Sequence, residues 1–171
     1  MINKYTSNQS EQFKDKIIIV TGSTQGSGAE TAKLVASRGA RGITICGRNE
    51  DKGNNVKNEI LKLGCECIYV KADLENLNEC KKIISETDKK FKTVDSFINV
   101  AAFTERGTIL STTEENYDKN FNVNVKAPLF MMQDVIKIMI RDKKKGTIAH
   151  ILSMAAYSGM PFLTAYSASK A

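Results

Sequence analysis

The chain has 171 residues, 42 % of them hydrophobic and 26 % charged, a length that fits one domain and a composition that excludes a disordered segment. Lysine and arginine number 25 against 19 acids, a net charge of +6 at pH 7 that favours anionic ligands without implying nucleic acid. One histidine and four cysteines with no C-x-x-C pair argue against metal chemistry. No run reaches the ~18 apolar residues of a membrane span, and the polar first residues lack a signal-peptide core, so a cytoplasmic protein with reduced thiols is expected.

Residues 1–14 are polar and aperiodic and read as a flexible leader. Ile17 to Val20 is a β-branched run closed by Thr21-Gly22, the pattern of a strand buried on both faces of a parallel sheet. Ala29, Ala32, Leu34, Val35 and Ala36 predict a helix that stops at Arg38-Gly39. The alternation continues with a strand at Gly42 to Cys46, a helix from about Asn49 to Leu63, and a strand at Glu66 to Lys71. A helix from about Leu77 to Phe91 and a strand at Asp95 to Asn99 follow. Thr112 or Thr113 can cap a long, broken helix running to Arg141. Its second half is apolar nearly all round, which predicts deeper burial than a surface helix has. Thr147 to Leu152 forms a fifth strand, and a last helix starts near Leu163. Five strand and helix alternations predict an α/β fold with a doubly wound parallel sheet. Cys65 and Cys67 are expected on opposite faces of their strand, which makes a joint metal or disulfide role improbable.

The first turn reads Thr21-Gly22-Ser23-Thr24-Gln25-Gly26-Ser27-Gly28. Lying between a buried strand and a helix, it can hold a pyrophosphate on backbone N–H groups, although glycines at such a turn also serve simply to make it. Tyr166 and Lys170 fall at i and i+4 on one helix face, where an ammonium lowers the pKa of a phenol toward that of a working proton donor. The same spacing is common in surface Tyr/Lys pairs. Ser153, at the end of the fifth strand, adds a third polar group at the sheet edge where open α/β sheets bind ligands.

These residues carry a family resemblance. From about Lys16 to its last residue the chain resembles the short-chain dehydrogenases/reductases, Rossmann-fold enzymes marked by T-G-x-x-x-G-x-G, an N-x-A-G element and a Ser…Tyr-x-x-x-Lys site. The motifs stand here as Thr21 to Gly28, Asn99-Val100-Ala101-Ala102, and Ser153, Tyr166 and Lys170. Ala102 departs from the glycine of the second motif, and Ser27 from a usual apolar residue.

The resemblance implies strand order 3-2-1-4-5, with the family's C-terminal strands missing beyond residue 171. Residues 15–171 would then be an incomplete NAD(P)-binding domain that carries the catalytic residues. It implies an oxidoreductase that interconverts a small-molecule alcohol and a carbonyl, with Tyr166 as acid/base. Ser153 would stabilise the oxygen, and Lys170 would tune the tyrosine and bind the cofactor ribose. Asn124 matches the family's helix asparagine. Pro128 lacks the N–H that would bond the Asn124 carbonyl, which leaves that oxygen to hold a water of a proton relay; a plain polar helix residue is the other reading. Asp73 and Leu74 match the adenine contacts, and Asp73 can equally be a helix cap. Asn99 and Ala101 join the cofactor-binding set, as do Thr21, Gly22, Ser23, Thr24, Gln25, Gly26, Ser27 and Gly28. Arg48 follows Gly47 where NAD-binding members place an acid, which favours NADP with NAD as the alternative. Gln25 stands where many NADP-binding relatives place a base. A homo-oligomer is implied through the long helix; neither nucleic acid nor a membrane is an expected partner. Two rivals remain at this stage: a truncated nucleotide-binding protein with little or no activity, and a basic interaction protein.

Overall fold

A computed structural model describes residues 11–171; the start of the expected leader, residues 1–10, lies outside the described residues. Strand β1, Ile17–Thr21, is buried along its whole length, and helix α1, Gly26–Ser37, follows the glycine turn. Next come β2 (Gly42–Gly47), α2 (Glu50–Lys62), β3 (Glu66–Lys71), α3 (Leu77–Phe91) and β4 (Ser96–Asn99). Helix α4 (Glu114–Phe121) runs through a π turn (Asn122–Lys126) into α5 (Ala127–Arg141). Strand β5 (Thr147–His150), a short 3-10 turn (Met154–Ala156) and α6 (Thr164–Lys170) complete the described chain.

The five strands are all parallel, in the order β3-β2-β1-β4-β5. Both the α/β class and the strand order match expectation. Side chains alternate across a strand, so β1 feeds two cores. Ile19 packs on one face with Phe97, Ile83 of α3 and Val135 of α5. Ile18 and Val20 pack on the other with Val35 of α1 and Ile60 of α2. Helices on both faces explain why this strand carries no polar residue before Thr21.

Several expectations are corrected. Cys65 and Cys67 share one core cluster, because residues two apart on an extended chain point to the same side. Strand β5 ends at His150, two residues early. The break in the long helix is a π turn, with the Ala127 N–H reaching back to the Asn122 carbonyl; the wider turn accommodates Pro128, which offers no N–H. Helix α5 is not buried all round: Met131, Val135 and Ile138 face the core, while Leu129, Ile136 and Ile140 are exposed. A single helical layer covers this side of the sheet, and no described element packs over its outer stripe.

Candidate active site

The carboxyl ends of β1, β2, β3 and β4 open on a cleft of about 500 Å³. Its floor is the turn between β1 and α1. Gly22 has a left-handed φ of 62°, and a Cβ there would meet the Ala101 backbone at 2.7 Å. Gly28 packs tighter still, since a Cβ would meet the Gly22 carbonyl oxygen at 2.2 Å. Gly26 also has a left-handed φ, 56°, yet nothing lies within 4 Å of its Cβ position. The turn is therefore closed beneath and open at the start of α1, whose first turn carries no acid. Free N–H groups and the positive helix end at such a place fit a pyrophosphate.

Thr21, Ser23 and Asn99, below the turn, hold its shape and are not among the residues lining the cleft. The Ser23 hydroxyl accepts from the Cys46 N–H at 3.0 Å, and the Ser23 N–H donates to the Cys46 carbonyl at 3.2 Å. The Thr21 hydroxyl donates to Asn99 Oδ1 at 2.7 Å and accepts from the Ala101 N–H at 3.1 Å. Asn99 Nδ2 stands 3.5 Å from His150 Nδ1. Burial, helped by the charge of Lys170, pulls the His150 pKa below its ordinary value.

Along one wall, Thr24, Gln25, Gly47, Arg48, Asp73 and Leu74 line the cleft. Thr24 sits against Gly47 so closely that a Cβ at 47 would meet Thr24 Oγ1 at 2.7 Å. Asp73 does not cap α3; Asn76 does, accepting from the Asn78 N–H at 2.9 Å. Asp73 instead closes its own turn by accepting from the Glu75 N–H at 3.1 Å, while its N–H donates to Glu79 at 2.7 Å. Its other oxygen lies 3.9 Å from the Arg48 guanidinium.

The opposite wall carries Ala101, Phe103, Tyr166 and Lys170. Lys170 is 4 % exposed, its Nζ donates to the Ile151 carbonyl at 3.0 Å, and burial lowers its pKa. Thus Tyr166, Lys170 and the glycine turn share one cleft. Ser153 and Asn124 do not line it. The Ser153 hydroxyl accepts from the Ala155 N–H at 3.2 Å and caps the 3-10 turn. Asn124 is buried; its amide bonds both backbone groups of Phe103 at 2.8 Å and donates to the Ser169 hydroxyl at 2.8 Å. Ser169 was invisible to motif reasoning, though its place between Tyr166 and Lys170 on a short helix could have drawn attention to it. The other end of α6 is tied too: the Gly107 N–H donates to the Phe162 carbonyl at 2.8 Å, and the Thr164 N–H to the Gly107 carbonyl at 3.2 Å.

No helix among the described residues is long and apolar enough to cross a membrane. The chain is 31 % identical over 159 residues to an uncharacterized oxidoreductase of Thermotoga maritima, covering 93 % of this chain and 62 % of that protein. It is 29 % identical over 160 residues to galactitol 2-dehydrogenase of Agrobacterium fabrum, covering 94 % and 61 %. The chain therefore spans about three-fifths of the length of these curated relatives. Among solved structures, a short chain dehydrogenase of Mycobacterium smegmatis superposes with a TM-score of 0.88 at 20 % identity, covering 94 % of this chain and 67 % of that one. An NAD+-bound xylitol dehydrogenase does so with a TM-score of 0.86 at 22 % identity, covering 93 % and 61 %, and both likenesses speak for the fold. Residues 16–171 match the family model described as short chain dehydrogenase, and the chain belongs to that family.

Proposed function

We propose that this chain carries the cofactor cleft and proton-transfer residues of an NADP-dependent oxidoreductase that interconverts a small-molecule alcohol and a carbonyl. The observation that carries this reading is the shared cleft of Tyr166, Lys170 and the glycine turn. The closed floor at Gly22 and Gly28 with open space at Gly26 fits a dinucleotide pyrophosphate. A bound nicotinamide dinucleotide supplies or accepts the hydride.

In the reductive direction Tyr166 gives its proton to the carbonyl oxygen, and in the oxidative direction it takes one. Lys170, held by the Ile151 carbonyl, lines the same cleft as the phenol and binds the nicotinamide ribose. The Ser153 oxygen accepts from Ala155, so its own O–H remains available to a developing alkoxide. Asn124, whose carbonyl Pro128 cannot bond, ends a proton path from Lys170 toward solvent. Asp73 and Leu74 hold the adenine side. Arg48 at the cleft wall suits a 2′-phosphate, and a side chain at Gly47 would press on that of Thr24. The exposed apolar stripe of α5 supports a homo-oligomer.

Fluorescence titration with NADPH, followed by turnover on a panel of aldehydes and ketones, tests the reading. Saturable binding with turnover supports it; the absence of binding refutes the nucleotide role, and binding without turnover on any carbonyl refutes the enzymatic one.

A further inference from the structure

The absence of a base at position 25 stands against NADP, yet a cation reaches this position from another part of the chain. Lys52, in the first turn of α2, extends its Nζ to Gln25 Oε1 at 2.6 Å, across 27 positions of sequence. Gln25 in turn lines the cleft beside Arg48. An ammonium group only donates hydrogen bonds, so the amide oxygen of Gln25 must face Lys52 and its NH2 must point elsewhere. The pair therefore offers an ammonium and an amide donor at one place on the rim. Neighbouring lysine charge is neutralised internally, with Lys71 paired to Glu50 at 3.5 Å, whereas no carboxylate pairs with Lys52 among the described residues. The backbone holds it in place, because the Lys52 N–H donates to the Asn49 side-chain cap at 2.9 Å.

We propose that Lys52, positioned by Gln25, is a second cation of the nucleotide 2′-phosphate site and, together with Arg48, determines preference for the 2′-phosphorylated cofactor. This rests on the NADP reading above. A phosphate monoester carries a charge of about −1.5 to −2 at neutral pH. Arg48 alone leaves much of that uncompensated, all the more because Asp73 lies 3.9 Å from its guanidinium. A second cation balances the charge, and the Gln25 amide adds a neutral donor. A bare ribose diol gains little from two cations, so the arrangement discriminates between the two cofactors.

The test uses the adenosine halves alone and needs no turnover. 2′,5′-ADP and ADP are titrated calorimetrically into the wild-type chain and into Lys52→Ala, Gln25→Ala, the double variant and Arg48→Ala, with the fold of each verified by circular dichroism. Lys52 and Gln25 are both exposed, so their truncation spares the core. The readout is the ratio of the two dissociation constants. A fall in the preference for 2′,5′-ADP of about tenfold in Lys52→Ala is expected, the scale of one charge-assisted hydrogen bond. A smaller fall in Gln25→Ala, with a double variant short of the product of the single effects, supports positioning through Gln25; independent effects overturn that link. An unchanged ratio in Lys52→Ala with a collapsed ratio in Arg48→Ala overturns the role of Lys52 while NADP preference stands. A wild-type ratio near one, or no binding of either probe, overturns the NADP reading and this inference with it.

Discussion

The Asn124 amide donates to the Ser169 hydroxyl at 2.8 Å and ties the π turn to helix α6. Ser169 in turn donates to the Tyr166 carbonyl at 2.8 Å, so one buried hydroxyl links the helix asparagine to the segment bearing the phenol and the ammonium. Ser169→Ala should lower stability by about 1 kcal/mol, a melting shift of roughly 2–4 °C for a chain of this size. Asn124→Ala also leaves both backbone groups of Phe103 without their partners and should cost roughly 3 kcal/mol. Equal melting shifts for the two variants would show that the Phe103 bonds contribute nothing.

The glycine turn gives a graded series. Gly28→Ala drives a Cβ into the Gly22 carbonyl oxygen, so both stability and nucleotide affinity should fall. Gly26→Ala meets open space but keeps a left-handed φ, which costs about 1 kcal/mol, while its methyl group intrudes on the proposed pyrophosphate position. Melting should therefore separate the two variants more than NADPH titration does. If Gly26→Ala bound NADPH like the wild type, the pyrophosphate would not sit at this turn.

Strand β1 was legible from the sequence because burial on both faces demands an unbroken β-branched run, and Tyr166 and Lys170 because i, i+4 spacing fixes a shared face. The strand order was carried by the family resemblance. What the sequence concealed depends on which groups meet across the fold. Lys52 lies in α2 and Gln25 in the turn before α1, and Ser169 shows its role only once Asn124 is placed against it. The exposure of the outer stripe of α5 is not legible in the sequence, because apolar content reports neither how many layers cover a helix nor which side they cover. The shared face of Cys65 and Cys67 follows from the two-residue strand repeat.

Protonation is coupled to folding at the half-buried His150 and the buried Lys170. The folded-state pKa of His150 lies below 6.5, through burial and then Lys170, so the unfolded chain binds the extra proton first and stability is lost as pH falls through that value. Lys170 is lowered by burial from 10.5, so stability rises as pH climbs toward 10.5. Urea denaturation across pH should show both slopes, with His150→Gln flattening the acid limb and Lys170→Met the alkaline one. An acid limb unaltered in His150→Gln would assign it to other groups.

In the proposed function, cofactor choice turns on Arg48. Arg48→Asp removes the cation and adds an acceptor for a ribose diol, so the ratio of NADPH to NADH affinity should fall by at least tenfold. Fluorescence titration with both nucleotides checks this; an unchanged ratio would remove Arg48 from the phosphate site. Gly47→Asp should damage the turn instead, because its side chain runs into Thr24.

Proton transfer by Tyr166 is tested most directly by comparing NADPH oxidation in the wild type and Tyr166→Phe, on whichever carbonyl of an aldehyde and ketone panel the wild type reduces, with NADPH affinity measured alongside. Turnover reduced by roughly 10²–10⁴ with nucleotide affinity retained is the expected result. Undiminished turnover in Tyr166→Phe would contradict the assignment of the phenol as the acid.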